Sequence, residues 1–568
     1  MHDLVIRSGT VVDGTGRAPF TGDLAIRDGK IAAVGRDVGA AKRTIDADGL
    51  TVTPGWVDVH THYDGQVSWD PLLAPSLWHG VSTVVMGNCG VGFAPARPDR
   101  HQWLIGLMEG VEDIPGPTLA AGLAWAWETF PEYLDALQSM PRALDVGAQV
   151  PHGAVRAYVM GERGAKNEPA TAEDIAGMAA IVREGIAAGA LGFSTSRTLL
   201  HRAVDGEPVP GTFAGEDELL GIGRAMGHGV FELASDLNPE ATELAWMERL
   251  SAESGRPVTF ACLQNDMDPG QWRRLLAAAD AAAARGARLV PQIAARPTSF
   301  LLGWAGTAHP FLAHAAYREI AHLPLDERLR RLRDPEVRRR ILDEKVQFTD
   351  PLTAFVASAF HKLFPLGDPP DYEPSPEESV AAIAERSGKS PEEVAYDLLL
   401  ARDGRGLLYL PFLNYADFDF GPIREMLLHP LAVVGLGDGG AHCGVICDAS
   451  TPTYLLTHWV RDRHRGPRLP IEHVVARQTR DTARLYGLED RGTLAPGMLA
   501  DVNVIDHEQL ALEAPEMVYD LPASGRRLVQ RARGYRATIK RGEVTWENGE
   551  PTGKLPGRLV RGPQPAPA

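Results

Sequence analysis

Two histidines stand two residues apart in Thr53-Pro54-Gly55-Trp56-Val57-Asp58-Val59-His60-Thr61-His62-Tyr63-Asp64. After the Pro-Gly break, apolar and polar residues alternate, the pattern of a half-buried strand. Side chains of a strand alternate between faces, so Asp58, His60 and His62 share one face and Val57 and Val59 the other. Two imidazoles so placed at a strand end can grip one metal ion. A pair of ordinary surface or core histidines has the same spelling. Three further stretches carry reactive residue types directly after apolar runs: Asn88-Cys89-Gly90, Pro151-His152-Gly153 and Asp438-Gly439-Gly440-Ala441-His442.

Such residues need elements to position them. Strand-like runs are expected at 55–61, 83–87, 145–151, 189–195, 229–235, 258–264, 289–294 and 432–438, separated by Ala- and Leu-rich helical patterns. Eight strands alternating with helices predict an α/β fold of the TIM (β/α)8 barrel type rather than an open sheet. The C-terminal strand ends of a barrel meet at one mouth, and closure sets the first strand beside the eighth. His60, His62, Cys89 and Asp438 could then surround one cation. Two imidazoles, a thiolate and a carboxylate suit zinc better than magnesium or calcium.

Each candidate has a plainer reading. A free Cys such as Cys89 is usually a small buried hydrophobe. Asp438 could cap a turn in its Gly-rich loop. His152 could satisfy backbone groups, and the ring of His442 could point elsewhere. Cys443 and Cys447 read as structural.

The flanks organise differently. Short strands are expected within 3–50, with hairpin signals at Asp13-Gly14 and Asp28-Gly29. Short strands return at 501–505, 536–539 and 543–546, so the two chain ends are expected to build one β domain, 1–52 with 488–548. The barrel takes 53–487, with a helical insertion at about 296–431 that reads as a lid over the mouth or a peripheral subdomain. The Arg-rich run 328–340 in it reads as a solvated helix face. The Pro- and Gly-rich stretch 549–568 reads as an extended arm.

Composition bounds the class. A chain of 568 residues, 44% apolar and 23% charged, is an ordinary globular protein. Its net charge of −17 argues against nucleic acid or an anionic membrane as partner. Four cysteines are too few for a disulfide framework and fit the cytoplasm; no signal peptide or membrane-spanning run is evident. Homo-oligomerisation is left open.

Beyond these residues, His60-Thr61-His62-Tyr63-Asp64, Gly87-Asn88-Cys89-Gly90, Gly189-Ala190-Leu191-Gly192-Phe193-Ser194-Thr195, Gly437-Asp438-Gly439 and Gly492…Pro496-Gly497…Ala500-Asp501 resemble the amidohydrolase superfamily, and within it the D-aminoacylase (N-acyl-D-amino-acid deacylase) branch. The resemblance implies a distorted barrel with a composite β-sandwich and one zinc, or two, at the mouth. It implies a small-molecule amide substrate, cleaved at its C–N bond by a metal-activated water with Asp438 as general base. It also implies that His152 supports the oxyanion or substrate.

The sequence departs from that family in places. The family's metal-binding histidines after strands five and six are missing: the runs here read Val230-Phe231-Glu232-Leu233-Ala234-Ser235 and Phe260-Ala261-Cys262-Leu263-Gln264. Cys262 falls near the lost strand-six ligand and could replace it. Strand four has no Lys to carry a carbamate bridge, which favours one metal over two. Gln264 stands in the region of the family's substrate-binding Lys. Arg197, Arg296, Tyr415 and His442 complete the candidate substrate contacts. Hydrolysis of a cyclic amide, imide or lactone is the alternative activity. A catalytically inactive amidohydrolase-like binding protein is the alternative from another class.

Overall fold

The computed structural model describes residues 1–567. Eight parallel strands form the barrel in chain order: Trp56–Asp58, Val81–Met86, Asp145–Pro151, Gly192–Arg197, Val230–Ser235, Pro257–Ala261, Arg288–Ile293 and Val433–Val434. The runs read from the sequence fall on these strands. The first and eighth are shorter than expected, and beyond Asp58 and Val434 the ring is closed by isolated contacts instead of a continuous ladder. Thr61 and Gly439 form a parallel bridge, Asp438 N–H donates to His60 O at 3.0 Å, and His62 N–H donates to Gly439 O at 2.8 Å. The seam is thus made by the residues that carry the candidate ligands.

The outer helices have the expected signals. In Ala172–Ala188, Thr171 and Asp174 form a capping box and the left-handed Gly189 ends the helix, which delivers the chain to the fourth strand. The apolar sides of these helices and the buried strands make one large core.

Strands from both chain ends form a single nine-stranded, chiefly antiparallel sheet. His2–Val11, Phe20–Arg27, Lys30–Gly35, Ala41–Asp46 and Thr51–Pro54 are joined there by Val502–Ile505, Tyr535–Lys540, Glu543–Glu547 and Glu550–Pro551. Asp28 and Gly29, both at positive φ, make the tight hairpin turn between the second and third strands. Asp13-Gly14 instead opens a longer connection. Asp145, at the start of the third barrel strand, is fully buried against Arg491, Lys540 and Arg541 and ties this sheet to the barrel.

Between the seventh and eighth barrel strands, Ser299–Leu302, Phe364–Pro365 and Leu408–Pro411 form a small sheet among helices with their own core around Trp304, Leu332, Ile341 and Tyr396. The charged run at 328–340 is two helices, Leu325–Leu332 and Pro335–Asp343. Pro335 cannot continue the first, and Asp334 caps the second. This region leans on the mouth: Leu301 N–H donates to Val445 O at 2.7 Å and Thr307 N–H to Gly444 O at 3.1 Å. The C-terminal stretch lies along the third barrel strand, where Val560 N–H donates to Val146 O at 2.8 Å. Among the described residues, no helix is long and apolar enough to cross a membrane.

Candidate metal centre

The strand ends bring His60, His62, Cys89 and Asp438 together. His60 Nε2 lies 3.3 Å from Cys89 Sγ and 3.5 Å from Asp438 Oδ1, and His62 Nε2 lies 3.7 Å from the same oxygen. One donor atom each of His60, His62 and Cys89 falls within 4.8 Å of the others. His60, His62 and Cys89 are buried and Asp438 is partly so, with 14% of its side chain exposed.

Local backbone explains the convergence. In Gly87-Asn88-Cys89-Gly90, Asn88 Nδ2 donates to Thr61 O and Val85 O, both at 3.0 Å, and Gln149 Nε2 donates to Asn88 Oδ1 at 2.7 Å. The turn is therefore pinned to the first three strands. Gly90 is at φ 70°, and a Cβ there would stand 2.9 Å from Thr195 Cα, so the turn admits only glycine. Cys89, Asp438 and His442 are left-handed at φ 55°, 47° and 50°. Non-glycine residues held so cost about 1–3 kcal/mol each and gather where a surrounding structure over-determines them.

The outer nitrogen of His60 is bonded, and that of His62 faces a carboxyl group without a hydrogen bond. His60 Nδ1–H donates to Gln292 Oε1 at 3.0 Å, leaving Nε2 to face Cys89 and Asp438. Glu232 lies behind, 3.9 Å from His60 Nδ1, and accepts Cys89 N–H at 2.9 Å. His62 Nδ1 lies 3.2 Å from Glu112 Oε1.

Burial dominates the electrostatics. It pushes His60 down to about 4 and His62 down as well, so both rings are neutral and free to ligate. Burial, then the charges of Glu232, Glu112 and Asp438, push the Cys89 thiol well up. Burial raises Glu232 to about 8. It opposes the ionised form of Asp438 too, but the facing imidazoles of His62, His60 and His442 outweigh it and hold that carboxyl well below its usual range. Two imidazole nitrogens, a thiol and an ionised carboxylate brought this close together fit a metal ion of the zinc type.

The remaining candidates lie elsewhere or are spoken for. Cys262 is buried, with Sγ turned to Trp272 O at 3.9 Å; it packs under a helix and does not join the cluster. His152 begins a helix, and both ring nitrogens are taken, by Thr195 Oγ1 at 2.8 Å and Glu218 Oε1 at 2.9 Å, which leaves none for an oxyanion. Arg197 is forked onto Glu243 at 2.7 Å. Arg296 is buried over the Tyr372 ring and bonded to Asp448 at 2.8 Å. Gln264 is spent on Asp417 and the Ala416 N–H, and Tyr415 is fully buried on Pro374 O and Arg465. All four side chains are bonded within the chain: Arg197 ties the fourth strand to the helix Glu240–Ser254, and the other three join connecting segments. His442 does reach the mouth, with 22% of its side chain exposed, and its Nε2 stands 3.5 Å from Glu112 Oε2.

Three residues were not foreseen. Glu112 ends the helix His101–Glu112, in the long connection between the second and third strands, where no pattern singled it out. Glu232 was read only as the place of an absent histidine, although period-two alternation puts it on the inner face. His201, in the loop after the fourth strand, bonds Ser196 Oγ through Nδ1 at 3.1 Å, and burial followed by the charge of His442 lowers it to about 3.

A family model described as "Amidohydrolase family" matches residues 43–546. An uncharacterised protein of Mycobacterium tuberculosis is 29% identical over 541 residues, covering 90% of this chain and 85% of that one. A D-aminoacylase of Alcaligenes xylosoxydans xylosoxydans is 28% identical over 575 residues, covering 98% and 97%. The crystal structure of N-acyl-D-glutamate deacylase from Bordetella bronchiseptica, complexed with zinc and a phosphonate mimic of the tetrahedral intermediate, superposes with a TM-score of 0.65 at 24% identity. It covers 99% of each chain, and the fold is shared.

Proposed function

The chain belongs to the amidohydrolase family, and we propose that it is a zinc-dependent hydrolase of a linear C–N amide bond, of the N-acyl-(D-)amino-acid deacylase kind. The observation that carries the reading is the placement of Asp438 Oδ1 within 3.7 Å of both His60 Nε2 and His62 Nε2. His60, His62 and Cys89 would hold the metal, with Asp438 at its edge. Zinc bound there would supply a Lewis acid for the amide carbonyl and lower the pKa of water beside it.

The chain's own residues do the rest. Asp438 is ionised despite its burial, so it can accept the proton of the attacking water and return it to the departing nitrogen. Gln292 keeps the His60 ring turned inward. The fourth strand, Gly192-Phe193-Ser194-Thr195-Ser196-Arg197, holds no lysine for a carbamate bridge, which supports the linear-amide reading over a hydantoinase-like one.

Zinc-loaded protein tested on N-acetyl-D-amino acids, their L counterparts, hydantoins and cyclic imides decides the class. Turnover is expected on the N-acyl amino acids, and Asp438→Asn is expected to fold normally and lose about two to four orders of magnitude of it. Turnover of the cyclic amides alone, or an Asp438→Asn variant as active as the parent, defeats the assignment.

A further inference from the structure

Glu112 is buried to 1% exposure and enters the mouth from the end of the helix His101–Glu112. Its two oxygens face two different histidines: Oε1 lies 3.2 Å from His62 Nδ1 and Oε2 lies 3.5 Å from His442 Nε2. His62 follows the first barrel strand and His442 follows the eighth, so one carboxylate spans the seam at which the barrel closes. The helix end is clamped to the same place. His442 N–H donates to Glu112 O, and the left-handed Asp113 accepts Gly444 N–H at 3.0 Å and Thr307 Oγ1–H at 2.8 Å.

Neither His62 Nδ1 nor Glu112 Oε2 has a hydrogen-bond partner, although both are buried. Orphaned buried polar atoms are costly, and they stand where their roles are completed by something bound. An imidazole that gives Nε2 to a metal keeps its proton on Nδ1. An acceptor at that proton fixes the ring and raises its basicity. His62 Nε2 is the nitrogen that faces Asp438, so Glu112 stands where such an acceptor belongs.

We propose that Glu112 is a positioning residue of the centre: it accepts the Nδ1–H of His62 and anchors His442, and so sets how tightly His60, His62 and Cys89 hold their metal. Through it the helix between the second and third barrel strands, with the insertion clamped at Thr307, becomes part of the metal site. The proposal rests on the metal reading above, but not on which amide is cleaved. Glu112 touches neither substrate nor reacting atoms and has no catalytic role of its own.

The test uses the full chain, stripped with a chelator and titrated with zinc against a competing indicator, beside the thermal midpoint of the stripped protein. Glu112→Gln keeps the size and a carbonyl acceptor but removes the ionisable group; Glu112→Ala removes both. Zinc affinity is expected to fall about 10–100-fold, more for Ala than for Gln, with the stripped Glu112→Gln midpoint unchanged. Parental affinity in Glu112→Ala overturns the proposal. So does a Glu112→Gln protein that fails to fold, because that assigns the residue to the fold instead of the centre. A parent chain that takes up no stoichiometric zinc defeats the metal reading and this proposal with it, an outcome distinct from unchanged variants.

Discussion

Cys89 Sγ stands 3.3 Å from His60 Nε2, closer than any carboxylate oxygen approaches that nitrogen. The contact joins the Asn-Cys-Gly turn after the second strand to the first-strand histidine, and it gives the thiol a testable role. Burial, then Glu232, Glu112 and Asp438, keep it protonated before a metal arrives, while His60 at about 4 is already neutral. Metal uptake through sulfur must therefore expel about one proton, so affinity is expected to rise about tenfold per pH unit between about pH 6 and 8. Calorimetric titration in two buffers of different ionisation enthalpy counts that proton. Cys89→Ser is expected to lose it, together with the thiolate charge-transfer band of the cobalt-loaded protein; an unchanged proton count excludes sulfur as a ligand.

Cys262 makes the opposite case. Its sulfur faces Trp272 O under the helix Gln271–Ala284 and has no ligand near it. Cys262→Ala is expected to leave metal content and affinity at parental values and to cost about 1–2 kcal/mol for the small cavity. Elemental analysis of the purified variant checks this, and a drop in bound metal would return Cys262 to the centre.

Arg296 separates substrate recognition from fold maintenance. Its guanidinium stacks 4.1 Å from the Tyr372 ring centroid and bonds Asp448 Oδ1 and Cys447 O. Both charges of the pair are buried, so Arg296→Ala strands Asp448 and is expected to cost about 3–5 kcal/mol. Arg296→Lys keeps the charge but loses the fork and the stacking, and is expected to lower the unfolding midpoint while leaving KM at the parental value. A raised KM in a variant of parental stability would make Arg296 a substrate contact after all.

The barrel was legible because burial on both faces writes each parallel strand as an apolar run, and the helices between carry Ala and Leu. His60, His62, Cys89 and Asp438 were legible for a related reason: each follows such a run directly, and barrel closure decides which run ends meet. Glu112 and the clamp at Asp113 were not, because a helix C-terminus in a long connection has no periodicity that says where it docks. For Arg197, Arg296, Gln264 and Tyr415 the sequence shows a polar side chain near a mouth but not the partner within the chain that it bonds. Glu243, Asp448, Asp417 and Pro374 lie between 41 and 153 residues away from those side chains, beyond any local pattern.

Glu373 offers a prediction about stability that is independent of the metal. Its carboxylate, buried to 2%, bonds Arg463 at 3.0 Å and His458 Nε2 at 3.0 Å, joining the insertion to the segment after the eighth strand. Burial opposes its ionisation, but the His458 hydrogen bond and Arg463 prevail and draw it down to about 2 from the ordinary 4.5. A carboxyl with a depressed folded-state pKa stabilises fully above its unfolded value, and that contribution is lost as pH falls from about 4.5 toward about 2. Glu373→Gln is therefore expected to be the less stable protein at neutral pH, because Arg463 is left buried without its partner. The gap should narrow as the parent is acidified through that window. Urea midpoints of parent and variant at about pH 6 and about pH 3 measure it. Midpoints that fall in parallel would mean that Glu373 is not ionised in the folded chain.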